Sequence, residues 1–121
     1  MKKILIVDDD PDVAEVLGAR LGLNGYRVIK AQSGKEGIEK AKEEPPHLII
    51  LDILMPDIGG EEVAEILKSD AATKDIPIIF LTCLYTKRDE QIEGHKVGKN
   101  IFVAKPYDTK ELLDLIRKTI K

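Results

Sequence analysis

The sequence predicts an α/β fold, a single-domain (βα)5 doubly wound sandwich in which helices cover both faces of a five-stranded parallel sheet. Two observations lead to this prediction. Short, unbroken apolar runs rich in β-branched residues are typical of strands buried on both faces. Amphipathic stretches with helical spacing separate these runs, and the strict alternation favours one layered domain with right-handed crossovers. We therefore expect residues 1–121 to form one domain.

The first strand is predicted at residues 4–7, where the sequence reads ILIV. A helix follows, because Asp10 is a favourable N-cap residue and Pro11 is tolerated at the first helical position. Asn24 and Gly25 indicate its end, since both residue types are common just beyond a helix. The apolar residues expected on its buried face are Val13, Val16, Leu17 and Leu21.

The second strand, residues 27–31, is a weaker candidate than the first. The second helix begins at a capping box, in which Ser33 and Glu36 are spaced to satisfy each other's backbone amides. The third strand is the apolar run LIIL at 48–51, and the glycine pair at 59–60 precedes the third helix. The apolar positions that this third helix presents are Val63, Ile66 and Leu67.

The fourth strand is predicted at residues 78–81 and the fifth at 101–104. Between them we expect a fourth helix from residue 86 to about 97, although Gly94 interrupts its pattern. A fifth helix follows Asp108, a favourable N-cap residue. The residues that it is expected to bury are Leu112, Leu115, Ile116 and Ile120.

Composition excludes several classes of protein. The 121 residues carry a formal net charge of −3 with 4% aromatic residues, which argues against a nucleic-acid-binding surface. A lone cysteine, Cys83, and an N-terminus without a signal sequence indicate a reducing, cytoplasmic setting. No apolar run approaches the roughly 20 residues needed to cross a membrane. We therefore expect a cytoplasmic protein with no membrane partner.

Polar residues follow the predicted strands directly, at the point where each apolar run ends. Asp8 and Asp9 follow the first strand, Asp52 the third, Thr82 the fourth and Lys105 the fifth. The carboxyl ends of parallel strands share one edge of the sheet, which is where ligands bind in open α/β folds. The sequence thus predicts a cluster of three carboxylates, a hydroxyl and an ammonium group at this edge.

That set of groups favours phosphoryl transfer to a carboxylate. Three carboxylates in close contact repel one another unless a cation neutralises them, and Mg²⁺ suits a few carboxylates, several waters and phosphate oxygens. Lys105 can pair with a phosphoryl group, and Thr82 can donate a hydrogen bond to one of its oxygens. Positioning and charge neutralisation then supply most of the catalysis.

The ordered motifs resemble the receiver domain of two-component response regulators, the family that includes the chemotaxis regulators. The resemblance covers residues 1–121 and implies a flavodoxin-like sheet with strand order 2-1-3-4-5. The motifs that carry it are ILIVDDD at 4–10, LIILDILMP at 48–56, IFLT at 79–82 and AKPY at 104–107.

The resemblance implies a role for each of the clustered residues. Asp52 would be the phosphoacceptor. Magnesium would bind Asp9, Asp52 and the backbone carbonyl of Leu54, with Asp8 acting mainly through a metal-bound water. Thr82 would bind a phosphoryl oxygen and move on activation, and Lys105 would pair with the phosphoryl group.

The resemblance also implies conformational and kinetic roles. Phe102 would rotate between exposed and buried positions as the phosphoryl-binding threonine moves, and the Lys105–Pro106 peptide bond would be cis. Leu54 and Leu84 occupy positions that flank the path of the attacking water in this family. Because both are apolar, we hypothesise that they orient water poorly and prolong the lifetime of the phosphoryl group.

As a receiver, the chain would be a signalling switch. Its partners would be a sensor histidine kinase or a histidine phosphotransfer protein, and an output domain or protein. The output would contact the surface formed by the predicted fourth helix, fifth strand and fifth helix. The chain would be a monomer or a weak, phosphorylation-dependent dimer, and it would make no direct contact with nucleic acid.

Two other functions remain open at this point. A phosphohydrolase of the haloacid dehalogenase type would use Asp8 as its nucleophile, with Thr82 and Lys105 imitating further motifs of that class. A pseudo-receiver would bind partners without phosphorylation. Substitution separates the first of these from a receiver, since the acceptor activity would depend on Asp8 in one case and on Asp52 in the other.

Overall fold

The order of helices and strands follows the predicted alternation over most of the chain. The computed structural model describes residues 1–83, 96–97 and 100–120. The elements in these ranges are β1 (Lys3–Val7), α1 (Pro11–Leu23), β2 (Arg27–Ala31), α2 (Gly34–Glu43), β3 (Leu48–Leu51), α3 (Gly60–Lys68), β4 (Ile78–Thr82), β5 (Lys96–Val97), β6 (Asn100–Ala104) and α4 (Thr109–Ile120).

The strands form one sheet in the order β2-β1-β3-β4-β6-β5. The five longer strands are parallel to their neighbours, and β6 is the predicted fifth strand. The predicted strand order 2-1-3-4-5 is therefore confirmed. β5 is a two-residue addition at the edge, antiparallel to β6.

β5 corrects the prediction for the end of the fourth helix. Lys96 and Val97 were expected to be helical, but they pair with Ile101 and Asn100 in the sheet. Glycine is a poor helix former, and Gly98 follows these two residues directly in the sequence, so helix formation is least favoured there. Residues 86–95 of the predicted helix lie outside the described residues.

The sheet separates two apolar cores because successive side chains on a strand point to opposite faces. Ile4 and Ile6 of β1 contribute to the core that also contains residues of α1 and α4. Leu5 and Val7 contribute to the core beneath α2 and α3. Burial on both faces explains the unbroken apolar runs of β1, β3 and β4.

None of the helices in the described ranges combines the length and the apolar character that a membrane crossing requires.

The ends of α1 are as predicted, but its buried face differs. The Asp10 side chain accepts hydrogen bonds from two first-turn amides, and Gly25 takes a positive φ of 88° beyond the last turn. Val16, expected to be buried, is 49% exposed. The helix packs closely on β2 through Gly18, whose added Cβ would lie 3.4 Å from Val28, so the small residues face inward. The buried residues of α1 are Ala14, Leu17, Gly18 and Leu21.

Candidate functional site

The carboxyl ends of four strands bring the predicted polar residues to one edge of the sheet. Asp8 and Asp52 continue the strand pairing beyond β1 and β3, since their amides donate to Ala31 and Val7 carbonyls at 3.1 and 3.0 Å. The Lys105 amide likewise donates to the Thr82 carbonyl at 3.0 Å. Neighbouring strand ends therefore present these side chains side by side.

Three carboxylates meet at this edge. One oxygen from each of Asp8, Asp9 and Asp52 lies within 4.8 Å of the others. Asp8 and Asp52 are only 3% and 7% exposed, whereas Asp9 is open to solvent. Hard oxygen donors with one side accessible to water are the ligands that Mg²⁺ prefers, because this ion keeps part of its hydration shell. The donor set therefore fits magnesium.

Lys105 supplies a positive charge within the cluster. Its Nζ lies 3.0 Å from Asp8 Oδ2 and 3.6 Å from Asp52 Oδ2. Burial acts to lower the pKa of Lys105, but the hydrogen bond to Asp8 and the charges of both carboxylates outweigh it, so that the pKa is raised. Lys105 is therefore a firmly protonated cation beside Asp52.

Asp52 has a raised pKa, mainly because burial disfavours its charged form. The charge of Lys105 and the Leu54 amide, 3.4 Å from Asp52 Oδ1, favour ionisation, while the charges of Asp8 and Asp9 oppose it. An added cation would favour the ionised and nucleophilic form of this carboxylate.

Two of the four aspartates between residues 8 and 12, Asp8 and Asp10, make different contacts. Asp8 Oδ1 accepts a hydrogen bond from the Asp10 amide at 2.9 Å, so this carboxylate is held from the backbone as well as by Lys105. Asp10 instead uses its carboxylate to accept from the Asp12 amide at 2.9 Å, which caps α1. The cap explains why Asp10 does not join the cluster of Asp8, Asp9 and Asp52.

Thr82 and Phe102 lie deeper in the molecule. Thr82 is fully buried at the end of β4. Phe102 on β6 is half-buried and packs against the core beneath α2 and α3. Its ring stacks on Phe80 of the neighbouring strand with 5.1 Å between centroids and 21° between planes. The Phe102 side chain therefore lies on the face of the sheet that α2 and α3 cover.

The remaining predicted residues surround the cluster. The peptide bond between Lys105 and Pro106 is cis. Leu54, two residues after Asp52, is 51% exposed. Leu84, predicted to influence the phosphoryl lifetime, lies outside the described residues.

Sequence reasoning missed two residues of the loop and helix start that follow Asp52. Asp57 accepts hydrogen bonds from the Gly34 and Lys35 amides, both at 3.1 Å, although 23 and 22 positions separate the partners. Gly60 approaches Asp52 so closely that an added Cβ would lie 2.2 Å from the Asp52 carbonyl oxygen. A glycine directly after a strand and loop is a signal of close backbone approach, but no local pattern identifies the partner of Asp57.

Comparisons with known proteins agree with this fold. Residues 4–117 match the family profile described as response regulator receiver domain. The chain is 36% identical over 121 residues to the DNA-binding dual master transcriptional regulator RpaA of Synechocystis sp.. This alignment covers 100% of this chain and 50% of RpaA. It is 35% identical over 120 residues to protein PilH of Pseudomonas aeruginosa, with 99% of this chain and 98% of PilH covered.

A solved structure shows the same similarity in three dimensions. The response regulator protein TrrA from Thermotoga maritima, in complex with Mg²⁺-BeF, superposes with a TM-score of 0.81 at 34% identity. The match covers 98% of this chain and 99% of TrrA. The chain spans about half the length of the first curated relatives it matches.

Proposed function

The chain belongs to the family of response regulator receiver domains, and from this premise we propose that Asp52 receives the phosphoryl group of a two-component or phosphorelay system. The donor would be a sensor histidine kinase or a histidine phosphotransfer protein in the cytoplasm. The observation that supports Asp52 best is its buried carboxylate between Lys105 and two further carboxylates.

In the proposed reaction an Asp52 carboxylate oxygen attacks the phosphorus atom of the donor's phosphohistidine. The P–N bond breaks, its electron pair stays on the imidazole nitrogen, and that nitrogen takes up a proton. The Lys105 ammonium lies 3.6 Å from Asp52 Oδ2, within reach of a phosphoryl oxygen on that carboxylate. The Thr82 hydroxyl would donate a hydrogen bond to a second phosphoryl oxygen.

We propose that Asp9, Asp52 and the Leu54 backbone carbonyl would hold magnesium, with Asp8 acting through a bound water. When bound, Mg²⁺ neutralises charge on the acceptor and on the phosphoryl oxygens, which lowers the barrier to transfer. The burial of Asp8 and the exposure of Asp9 support this division, because Asp8 is already hydrogen-bonded to Lys105 and to the Asp10 amide.

Phosphorylation would act as a switch by shifting a population between two conformations. Thr82 would move toward the phosphoryl group, and Phe102 would turn further inward beside Phe80. The affected surface would comprise β6, α4 and the predicted fourth helix, of which residues 86–95 lie outside the described residues. The output protein or domain would bind there, and the chain would act as a monomer or weak phosphorylation-dependent dimer without touching nucleic acid itself.

The two other functions have less support. In a haloacid-dehalogenase-type enzyme Asp8 would be the nucleophile, but both of its oxygens accept hydrogen bonds, from Lys105 and from the Asp10 amide. A pseudo-receiver would not need the complete set of carboxylates and cation found here. We therefore propose a regulatory domain whose only catalysis is its own phosphorylation and dephosphorylation.

Mass spectrometry after incubation with acetyl phosphate and Mg²⁺ tests the proposal. The wild type should gain one phosphoryl group, the Asp52→Asn variant should gain none, and EDTA should suppress the reaction. The Asp8→Asn variant should still be phosphorylated, although more slowly. Loss of phosphorylation in Asp8→Asn with retention in Asp52→Asn would favour the phosphohydrolase, and an unmodified wild type would favour the pseudo-receiver.

A further inference from the structure

The loop between β3 and α3, residues 53–59, is fastened at two points. At the α3 end, the Gly60 amide donates to the Ile53 carbonyl at 2.8 Å. The absence of a side chain at Gly60 permits this contact, since a Cβ would lie 2.8 Å from the Ile53 Cα. The start of α3 is therefore packed directly on the backbone that follows Asp52.

The second fastening point joins the loop to α2. Asp57 Oδ1 accepts from the Gly34 amide and Oδ2 from the Lys35 amide, both at 3.1 Å. Gly34 lets the loop come close, because a Cβ there would lie 3.1 Å from the Ile58 carbonyl oxygen and 2.8 Å from Val63 Cγ2. The loop thus docks on the first turn of a helix that is distant in sequence.

The contact between Asp57 and α2 is favourable because a carboxylate complements the start of any helix. The first amides of a helix have no partner within it, and the helix dipole favours a negative charge there. These backbone hydrogen bonds lower the pKa of Asp57 from its ordinary value. Ser33, the residue directly before α2, caps the same helix, since its Oγ accepts a hydrogen bond from the Glu36 amide at 3.1 Å.

We propose that Asp57 is a positioning residue for magnesium binding, because it fastens to α2 the loop that carries the Leu54 carbonyl. Leu54 lies between the two fastening points, two residues after Asp52 and three before Asp57. Without the Asp57 contact, the loop backbone would sample more conformations. The loop would lose that conformational entropy when the Leu54 carbonyl binds magnesium, so binding would be weaker. This inference rests on the proposed function, in which Leu54 contributes a metal ligand.

The chain offers a matched control, because Ser33 and Asp57 both cap α2 but only Asp57 belongs to the loop. Isothermal titration with MgCl₂ should show about tenfold weaker binding for Asp57→Ala. Ser33→Ala should bind Mg²⁺ like the wild type even though it weakens the same helix end. Asp57→Asn should lie between wild type and Asp57→Ala, since its amide oxygen can replace one of the two acceptors.

Amide hydrogen exchange provides a readout without magnesium. The Gly34 and Lys35 amides should exchange slowly in the wild type and faster in Asp57→Ala. Equal exchange in the two proteins, unchanged Mg²⁺ affinity in Asp57→Ala, or an equal loss of affinity in Ser33→Ala would each overturn the inference. A wild type that neither binds Mg²⁺ nor accepts a phosphoryl group would overturn the proposed function itself, a distinct result.

Discussion

The Asp52 carboxylate experiences opposing influences from its surroundings. Burial and the neighbouring carboxylates Asp8 and Asp9 raise its pKa, while Lys105 and the Leu54 amide act against them. The net result is a pKa above the ordinary value of 3.8. Ionised Asp52 therefore costs the folded protein free energy that the unfolded chain does not bear, and this cost is the basis of a pH-dependent prediction.

Replacement of Asp52 by Asn should stabilise the metal-free protein at neutral pH. Stability that a raised carboxyl pKa confers is fully present below the unfolded pKa and lost as the pH rises through the folded pKa. Asp52→Asn should thus be more stable than wild type above the folded pKa. The advantage should vanish below pH 3.8, where both proteins carry an uncharged group.

Urea denaturation with EDTA at several pH values measures this difference. The exposed Asp75 supplies the control, because Asp75→Asn removes the same charge away from the cluster. An equal increase in the free energy of unfolding in Asp75→Asn and Asp52→Asn would attribute the effect to net charge. An increase in Asp52→Asn that does not depend on pH would contradict the role of the raised pKa.

Leu54 permits a test of the phosphoryl lifetime. Its side chain is half-exposed, two residues after Asp52, and has no polar atom with which to orient water. Leu54→Asn should shorten the lifetime, because an amide can hold a water near the phosphorus atom. The decay of phosphorylated protein after removal of acetyl phosphate, followed by mass spectrometry, gives the rate. Leu84→Glu extends the same test, and decay unchanged in both variants would reject the hypothesis.

At the scale of elements, the junction of β3 and α3 depends on one glycine. Gly60→Ala should destabilise the fold by about 2 kcal/mol or more, because the new Cβ meets the backbone of Asp52 and Ile53, which cannot move aside like the end of a side chain. The free energy of unfolding from urea titration gives the magnitude.

The adjacent Gly59 provides the control for this substitution. A Cβ at Gly59 would meet only the Ile53 carbonyl oxygen, at the ordinary distance of 3.7 Å. Gly59→Ala should therefore change stability far less than Gly60→Ala. Equal effects of the two substitutions would mean that general glycine flexibility, and not close contact with the backbone of Asp52, is the cause.

The elements differ in how well the sequence predicts them. β1, β3 and β4 were predictable because burial on both faces requires unbroken apolar runs. The exposure of Val16 was not predictable from the sequence, because the rotation of α1 about its axis depends on how closely Gly18 approaches Val28. Helical spacing identifies an apolar face but does not determine which of its residues a neighbouring strand will cover.

At the scale of the whole molecule, metal binding and folding should be coupled. The three carboxylates follow β1 and β3, strands far apart in sequence, so the cluster exists only in the folded chain. A ligand that binds only the folded state stabilises it, by about 2.7 kcal/mol when present at 100 times its Kd. Mg²⁺ should therefore raise the urea midpoint in a concentration-dependent way.

Two variants make this coupling specific. Asp9→Asn removes a proposed ligand and should reduce the stabilisation at a given Mg²⁺ concentration, whereas Asp12→Asn removes an exposed charge in the first turn of α1 and should not. Ionic strength is held constant with KCl. Equal Mg²⁺ responses in the two variants would argue that the ion acts by screening and not at the cluster.

The candidate site was predictable to the extent that it follows from topology. Parallel strands put their carboxyl ends at one edge, so Asp8, Asp52 and Lys105 could be grouped from their positions after apolar runs. The contact of Asp57 with α2 could not, because it joins a loop to a helix start that no pattern in either segment relates. Such contacts depend on the relative placement of elements, which strand and helix periodicity leave undetermined.

The position of Lys105 between Asp8 and Asp52 also determines the charge balance of the site. Three carboxylates and one ammonium group give a formal charge of −2, which one divalent cation cancels and one monovalent cation does not. A phosphoryl group carries about −1.5 to −2, but it replaces the single charge of the Asp52 carboxylate, so the site would gain about −0.5 to −1. The phosphorylated site would then carry an excess of negative charge that only a rearrangement of nearby groups, or a bound partner, can offset. The imbalance is a physical reason for a receiver of this composition to change shape when it is modified.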